Sequence, residues 1–224
     1  MILENKYWRL KMKTIVINAS PRKNWNTGKI MKSAAKGAES VGAEVEYFNL
    51  YEIDFKGCMS CLACKRANKE KGICYYKDDL TPIIDKILEA DTLLLGAPNY
   101  LGDVASGFRA LYERLIFCVL SYDGGPSYYK GKLNIGLFYT MNAPKEYYDN
   151  FNKPTFDNYK NTFSNFFNGK VIDYPVFNTL QVNDYSKFNI AMFDEENKKE
   201  SREKQFPIDL EEAFKIGAEL SKGE

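Results

Sequence analysis

The 224-residue sequence predicts an α/β fold, a doubly wound parallel sheet of five strands with helices on both faces. Three observations predict it. Apolar runs of strand length alternate with longer segments whose apolar residues recur at helical spacing, the signature of βα units. The runs Thr14-Ile15-Val16-Ile17 and Thr92-Leu93-Leu94-Leu95 are continuous rather than alternating, as strands covered on both faces require. A 45% hydrophobic content over this length supports one large core, a single domain over residues 13–224 behind a short extension at 1–12 that packs on a neighbour, with Met12 an alternative start.

The elements follow in order. Residues 13–18 form the first strand, and 27–41 a helix whose Ile30, Ala34, Ala38 and Val41 share a face before Gly42 stops it. Residues 44–50 alternate as a strand near the sheet edge. After a cysteine-rich segment, Asp79 caps a helix running to residue 90, with Leu80, Ile83, Ile84, Ile87 and Leu88 inward and Asp78 and Asp79 suited to the helix dipole. A strand at 92–97, a loop at 98–103 and a helix at 105–120 come next. Strands at 132–140 and 171–182 flank an aromatic-rich helical stretch at 147–167, and a helix at 210–220 closes the chain. The charged run at 194–204 reads as a solvated loop or helix end.

Composition removes several functions. Lys plus Arg number 31 against 30 Asp plus Glu, a formal charge of +1, which argues against a nucleic-acid or anionic-membrane binder. No apolar stretch is long enough to span a bilayer and no signal-peptide core opens the chain, so a cytoplasmic protein is expected. The chain has no histidine, which removes Ser-His-Asp and Cys-His catalysis, His metal sites and His proton relays together. Five cysteines, four in one short segment, then read as thiols or metal ligands rather than a disulfide framework.

Two loops and the cysteines carry the remaining chemistry. The first strand runs into Ala19-Ser20-Pro21-Arg22-Lys23-Asn24-Trp25-Asn26-Thr27-Gly28, where small and polar residues leave backbone N–H groups free at a helix start, a setting for an anion. Ser20 and Thr27 add hydroxyls, Asn26 an amide and Arg22 a guanidinium. Neither G-x-x-x-x-G-K-[ST] nor G-x-G-x-x-G is present. The loop resembles the S-P-R-x-x-x-N-T loop of the flavodoxin-like NAD(P)H-dependent FMN reductases and the related iron–sulfur flavoproteins. By that resemblance Ser20, Arg22, Asn26, Thr27 and Gly28 hold the FMN phosphate, and the strand order is 2-1-3-4-5 with FMN at the switch point.

The second loop, Pro98-Asn99-Tyr100-Leu101-Gly102, matches the family's P-x-Y-x-G pattern at Pro98, Tyr100 and Gly102. There a tight backbone path places N–H groups against the pyrimidine edge of the flavin while Tyr100 and Leu101 line its ring, and Asn99 belongs to the same cofactor-binding loop. Thr140, Met141 and Asn142, at the end of the fourth strand, approach the flavin next. The resemblance extends from residue 12 through the tail segment Asn178-Thr179-Leu180-Gln181-Val182-Asn183-Asp184-Tyr185, and it implies a homodimer or homotetramer.

Cys58, Cys61, Cys64 and Cys74 make C-x2-C-x2-C-x9-C. Three readings stand: ligands of a [4Fe-4S] cluster, a zinc site, or a metal-free loop of structural thiols. The iron–sulfur flavoproteins have a shorter final gap. Cys118, on an apolar helix face, reads as core.

Because FMN carries the redox chemistry, no protein nucleophile or catalytic side chain is needed. The reading is therefore an FMN-dependent oxidoreductase taking hydride from NAD(P)H and passing electrons to a quinone, nitro compound, flavin or redox protein. The alternatives are an electron carrier holding FMN and a [4Fe-4S] cluster, and a non-enzymatic binding module with the same fold.

Overall fold

A computed structural model describes residues 11–223. The expected extension at 1–12 therefore lies outside the described residues, apart from its last two.

Five parallel strands form the body of the sheet: β1 (Lys13–Asn18), β2 (Glu44–Asn49), β3 (Thr92–Tyr100), β5 (Asn134–Thr140) and β6 (Val171–Val176). A two-residue strand, β4 (Asp103–Val104), brings the count to six rather than the expected five. The order is β2-β1-β3-β5-β6, with β4 pairing antiparallel to the end of β3. β4 exists because the chain after β3 folds back on itself. Leu101 and Gly102 take positive φ at the turn, and Asn99 Oδ1 accepts the Gly102 N–H at 3.1 Å. What was expected as a loop at 98–103 is thus the tip of a hairpin.

Pairing fixes the register across the sheet: Tyr47, Val16, Leu94, Gly136 and Ile172 lie in one row. That row faces α1 (Asn26–Ser40) and the long C-terminal helix α6 (Glu195–Leu220), which share a core of Ile30, Met31, Ala34, Phe206, Ala213 and Ile216. Gly136 makes room there, since a Cβ would lie 2.9 Å from the Leu94 side chain. The opposite face packs α2 (Thr81–Leu88), α3 (Ser106–Val119) and α5 (Lys153–Phe166) through Ile83, Ile84, Phe108, Leu115, Phe156 and Phe163. A single turn, α4 (Lys145–Tyr147), and a π-helical turn over Tyr148–Asn152 lead into α5, so the expected 147–167 helix is made of three pieces.

Four further boundaries move, each for a local reason. α2 begins at Thr81 rather than residue 79, because Asp78 is the side chain that accepts from the Leu80 and Thr81 N–H groups, while Asp79 accepts from Asp54. β6 stops at Val176 instead of 182, as Asn178 takes φ 53° and turns the chain away from the sheet. β3 continues to Tyr100, three residues further than expected. The final helix starts at Glu195, fifteen residues before 210: Asp194 accepts from Asn197 N–H at 3.0 Å, and the helix runs through Pro207. A proline normally ends a helix. Here packing against α1 carries it through, and the charged run at 194–204 is not a solvated face throughout, because Lys198 is 5% exposed.

Candidate functional site

The reversal of strand order between β1 and β3 opens a crevice at the carboxyl ends of the strands. Asn18, the last residue of β1, braces the loop that enters it. Its Oδ1 accepts from Ser20 N–H at 3.2 Å, and its Nδ2 donates to Asn49 Oδ1 at 3.0 Å and to the Lys23 carbonyl at 3.3 Å. Ser20 Oγ accepts from Arg22 N–H, and Trp25 N–H donates to the Arg22 carbonyl. The loop then meets α1 so closely that a Cβ on Gly28 would lie 1.8 Å from the Lys23 oxygen. Gly28 therefore shapes the cradle without lining it.

Trp25 stands at the N-cap of α1 with no side-chain capping bond, and the first turn has no acidic residue. The first amides of a helix have no intrahelical acceptor, and the macrodipole adds positive potential there. An uncapped start of this kind, with the hydroxyls of Ser20 and Thr27 beside it, is fitted to a phosphate.

The other walls come from the neighbouring strands. Ser20, Arg22, Asn26 and Thr27 share one cleft with Pro98, Asn99 and Tyr100 from β3 and with Thr140, Met141 and Asn142 from the end of β5. Its empty volume, open to solvent, is about 570 Å³, within the span of small-ligand sites. Thr27 and Thr140 join two walls by a buried hydroxyl contact of 2.7 Å. Besides Gly28, two expected residues stand apart: Leu101 is fully exposed at the hairpin tip, and Gly102 lies behind it near Asn152. Both serve the turn that presents Asn99 and Tyr100, because that turn demands positive φ.

Three lining residues escape sequence reasoning: Trp25, Thr179 and Gln181. The segment after β6 folds over the first loop, where its carbonyls accept from Arg22 Nη1 (Gln181 O, 2.7 Å), Trp25 Nε1 (Leu180 O, 3.1 Å) and Asn26 Nδ2 (Leu180 O, 2.9 Å). Thr179 also bonds the Met141 carbonyl through both its N–H and its hydroxyl. Asn142 donates to Gln181 Oε1 at 3.1 Å, while its own Oδ1 is buried without a donor. Beneath it, the Lys198 ammonium donates to the Asn142 carbonyl and to Asn178 Oδ1. Burial pulls the Lys198 pKa down to about 8, against the opposing pull of Asp194. Burial also raises the Tyr100 phenol, with Tyr51 adding to the shift and Arg22 opposing it. Neither group is placed as an acid or base by these contacts.

The cysteines occupy a different pocket. Cys58, Cys61, Cys64 and Cys74 line one small cavity with Arg114 and Cys118. Cys61 is exposed and Cys64 buried, and Cys74 Sγ lies 3.6 Å from Arg114 Nη2. Among the described residues no group of three or more His, Cys, Asp or Glu side chains is disposed to hold a metal ion. The thiols as placed share a cavity without forming a ligand set. Burial raises the Cys64 thiol, with Lys65 opposing. It raises Cys118 strongly, in keeping with a core residue.

This parallel α/β sheet is shared with solved structures of oxidoreductases. The NAD(P)H:quinone oxidoreductase from Methanothermobacter marburgensis superposes with a TM-score of 0.68 at 13% identity, covering 96% of this chain and 99% of that one. An azoreductase from Bacillus anthracis gives 0.64 at 14% identity, over 93% and 99%. At such identities the likeness is one of fold. The chain belongs to the NADPH-dependent FMN reductase family, which it matches over residues 12–140.

Among curated proteins, an iron–sulfur flavoprotein of Methanocaldococcus jannaschii is 35% identical over 103 residues, 46% of this chain and 51% of that protein. One from Archaeoglobus fulgidus is also 35% identical over 103 residues, 46% of this chain and 48% of its own length. The chain thus spans about half the length of the curated relatives it matches. No helix among the described residues is long and apolar enough to cross a membrane.

Proposed function

We propose that the chain is an FMN-dependent oxidoreductase that takes reducing equivalents from NAD(P)H and delivers them to a small acceptor such as a quinone, nitro compound or free flavin. The observation that carries this reading is the uncapped start of α1, opening on the same cleft as Pro98–Tyr100 and Thr140–Asn142. In this reading Ser20, Arg22, Asn26 and Thr27 hold the phosphate, and Gly28 keeps the loop against the helix. Asn99 and Tyr100 flank the ring, and the donor-free Asn142 Oδ1 awaits a ligand N–H or O–H. Bound FMN supplies the hydride and electron transfer. The protein orients it, and the segment at 178–181 shields the phosphate end from water. The likeness of fold to quinone reductase and azoreductase structures supports a small-molecule acceptor, and a homodimer or homotetramer belongs to the same reading.

The test is purification followed by a visible spectrum and a turnover assay. Two resolved flavin bands, and NADH or NADPH oxidation stimulated by a quinone, are the expected result. A protein that neither retains nor rebinds FMN refutes the reading.

A second reading is favoured by one observation: four thiols face one cavity in a chain whose curated relatives are named iron–sulfur flavoproteins. In that reading the protein carries electrons to a redox partner. Anaerobic purification distinguishes the two, since a dithionite-bleachable broad absorption beneath the flavin bands requires a cluster, and its absence from iron-reconstituted protein excludes one.

A further inference from the structure

The charged helix α6 reaches the phosphate loop, and a glycine-mediated packing puts it there. α1 and α6 run in the same direction, and three contacts between them share nearly one sequence offset. Arg202 Nη2 donates to Asn26 Oδ1 at 2.8 Å, an offset of 176 residues, and Ser33 Oγ donates to the Leu210 carbonyl at 2.6 Å, an offset of 177. Gly37 stands against Phe214, again 177 residues on, so closely that a Cβ would lie 2.0 Å from the Phe214 oxygen. Gly217 meets Ala34 just as closely. Glycines thus set the register, and three turns upstream that register delivers Arg202 to the first residue of α1.

The contact determines what Asn26 offers a ligand. A guanidinium is a donor only, so the amide oxygen must face Arg202 and the NH2 must face the loop. One of its hydrogens goes to the Leu180 carbonyl at 2.9 Å, leaving the second for an anion. Were the amide reversed, it would present an acceptor to a phosphate and be repelled.

Charge is gathered at the same place. The Arg22 guanidinium lies 4.4 Å from the Trp25 ring centroid, that of Arg202 5.5 Å, and Lys29 Nζ 5.7 Å. None of the three forms an ion pair among the described residues, and Arg202 Nη1 is buried with no acceptor. Of the three, Arg22 lines the cleft with Trp25 and Asn26, while Arg202 and Lys29 stand behind the indole and add positive potential that suits a doubly charged phosphate monoester.

Resting on the flavin reading above, we propose that Arg202 is a positioning and specificity-determining residue of the phosphate site. It locks Asn26 as a donor and, with Arg22 and Lys29 arranged round Trp25, selects FMN over riboflavin, which lacks the phosphate. The core family match ends at residue 140, so this contribution comes from the part of the chain beyond it.

Fluorescence titration of flavin-free protein with FMN and with riboflavin tests the assignment, alongside thermal melts of each variant. Arg202→Met is expected to weaken FMN about tenfold, as loss of a charge-assisted contact does, and to change riboflavin less than about twofold. Arg202→Lys should recover most of the FMN affinity, and added NaCl should narrow the wild-type preference. Should Arg202→Met not fold, Arg202→Gln, which keeps a donor for Asn26 and drops the charge, is expected to show a smaller loss, still confined to FMN. The proposal is overturned if the variants leave FMN binding unchanged or weaken both flavins alike. Wild-type protein binding the two flavins equally overturns it as well, with the flavin reading intact. Binding of neither flavin overturns the flavin reading and the proposal together.

Discussion

Arg114 is the largest fully buried side chain among the described residues, and its removal makes a demanding test of how the cysteine segment is held. Nη1 donates to both oxygens of Asp78 at 2.6 Å and to the Lys56 carbonyl, while Nη2 donates to Thr81 Oγ1 at 2.7 Å and to the Tyr76 carbonyl at 3.2 Å. One side chain therefore staples α3 to both flanks of the segment that carries Cys58 to Cys74. The Arg114 side chain is 1% exposed and that of Asp78 12%, so Arg114→Met leaves a mostly buried carboxylate without its cation. Breaking a buried pair in this way costs about 3–5 kcal/mol. Asp78 keeps backbone N–H donors at Lys56, Leu80 and Thr81, which places the expected loss near the lower end, about 3 kcal/mol.

Urea denaturation of the wild type, both single variants and the Arg114→Met/Asp78→Asn double variant measures this. With Asn at position 78 no charge is stranded, and the Arg114→Met loss should shrink by about 1–2 kcal/mol. A coupling below about 0.5 kcal/mol would refute the reasoning. The pH dependence has a definite sign. Burial pushes the Asp78 carboxyl up, but the Arg114 hydrogen bonds and the backbone donors outweigh it and hold the pKa below the usual value. Stability from a depressed carboxyl is present above the unfolded pKa, about 3.9, and is lost as pH falls through the folded one. The wild-type advantage over Arg114→Met should therefore fade in strong acid.

Three other outcomes follow from named contacts. Gly28→Ala must part the loop from α1, because the new methyl has 1.8 Å to the Lys23 oxygen, and FMN titration should show a loss of about tenfold or more. Lys198 has a pKa lowered to about 8, so the unfolded chain binds the extra proton between pH 8 and the unperturbed lysine value, and stability from this group rises with pH across that window. The melting temperature of Lys198→Met relative to wild type should accordingly be higher at pH 7 than at pH 10; an equal difference at both refutes a desolvated ammonium. Iodoacetamide labelling followed by mass spectrometry should modify exposed Cys61 first and Cys118 only on unfolding, and early labelling of Cys118 would contradict its core placement.

The parallel sheet was legible in the sequence because its signals are local. β-branched runs need only their own neighbours to become strands, and the apolar spacing of Ile30, Ala34 and Ala38 marks one face of α1 wherever that helix docks. The first loop and the Pro98–Tyr100 turn were legible for the same reason, as small, polar and proline residues announce backbone that cannot continue a strand. The misread places show where locality ends. The closing helix was expected over 210–220, yet α6 starts at Glu195 and runs through Pro207, since packing against α1 outweighs one lost hydrogen bond. The last strand was expected to reach Val182, but Asn178 turns out of the sheet and its followers bond to the first loop instead.

The sequence by itself therefore determined the alternation of elements, the position of the first loop and the identity of most residues that share its cleft. Tertiary structure alone decided which distant groups complete it: Gln181 and Leu180 over Arg22 and Asn26, Lys198 beneath Asn142, and Arg202 on Asn26. The physical reason is the close approach of α1 and α6 at Gly37 and Gly217. Register between two helices is set by which surfaces can touch, and a glycine that permits the touch has no periodic mark along the chain.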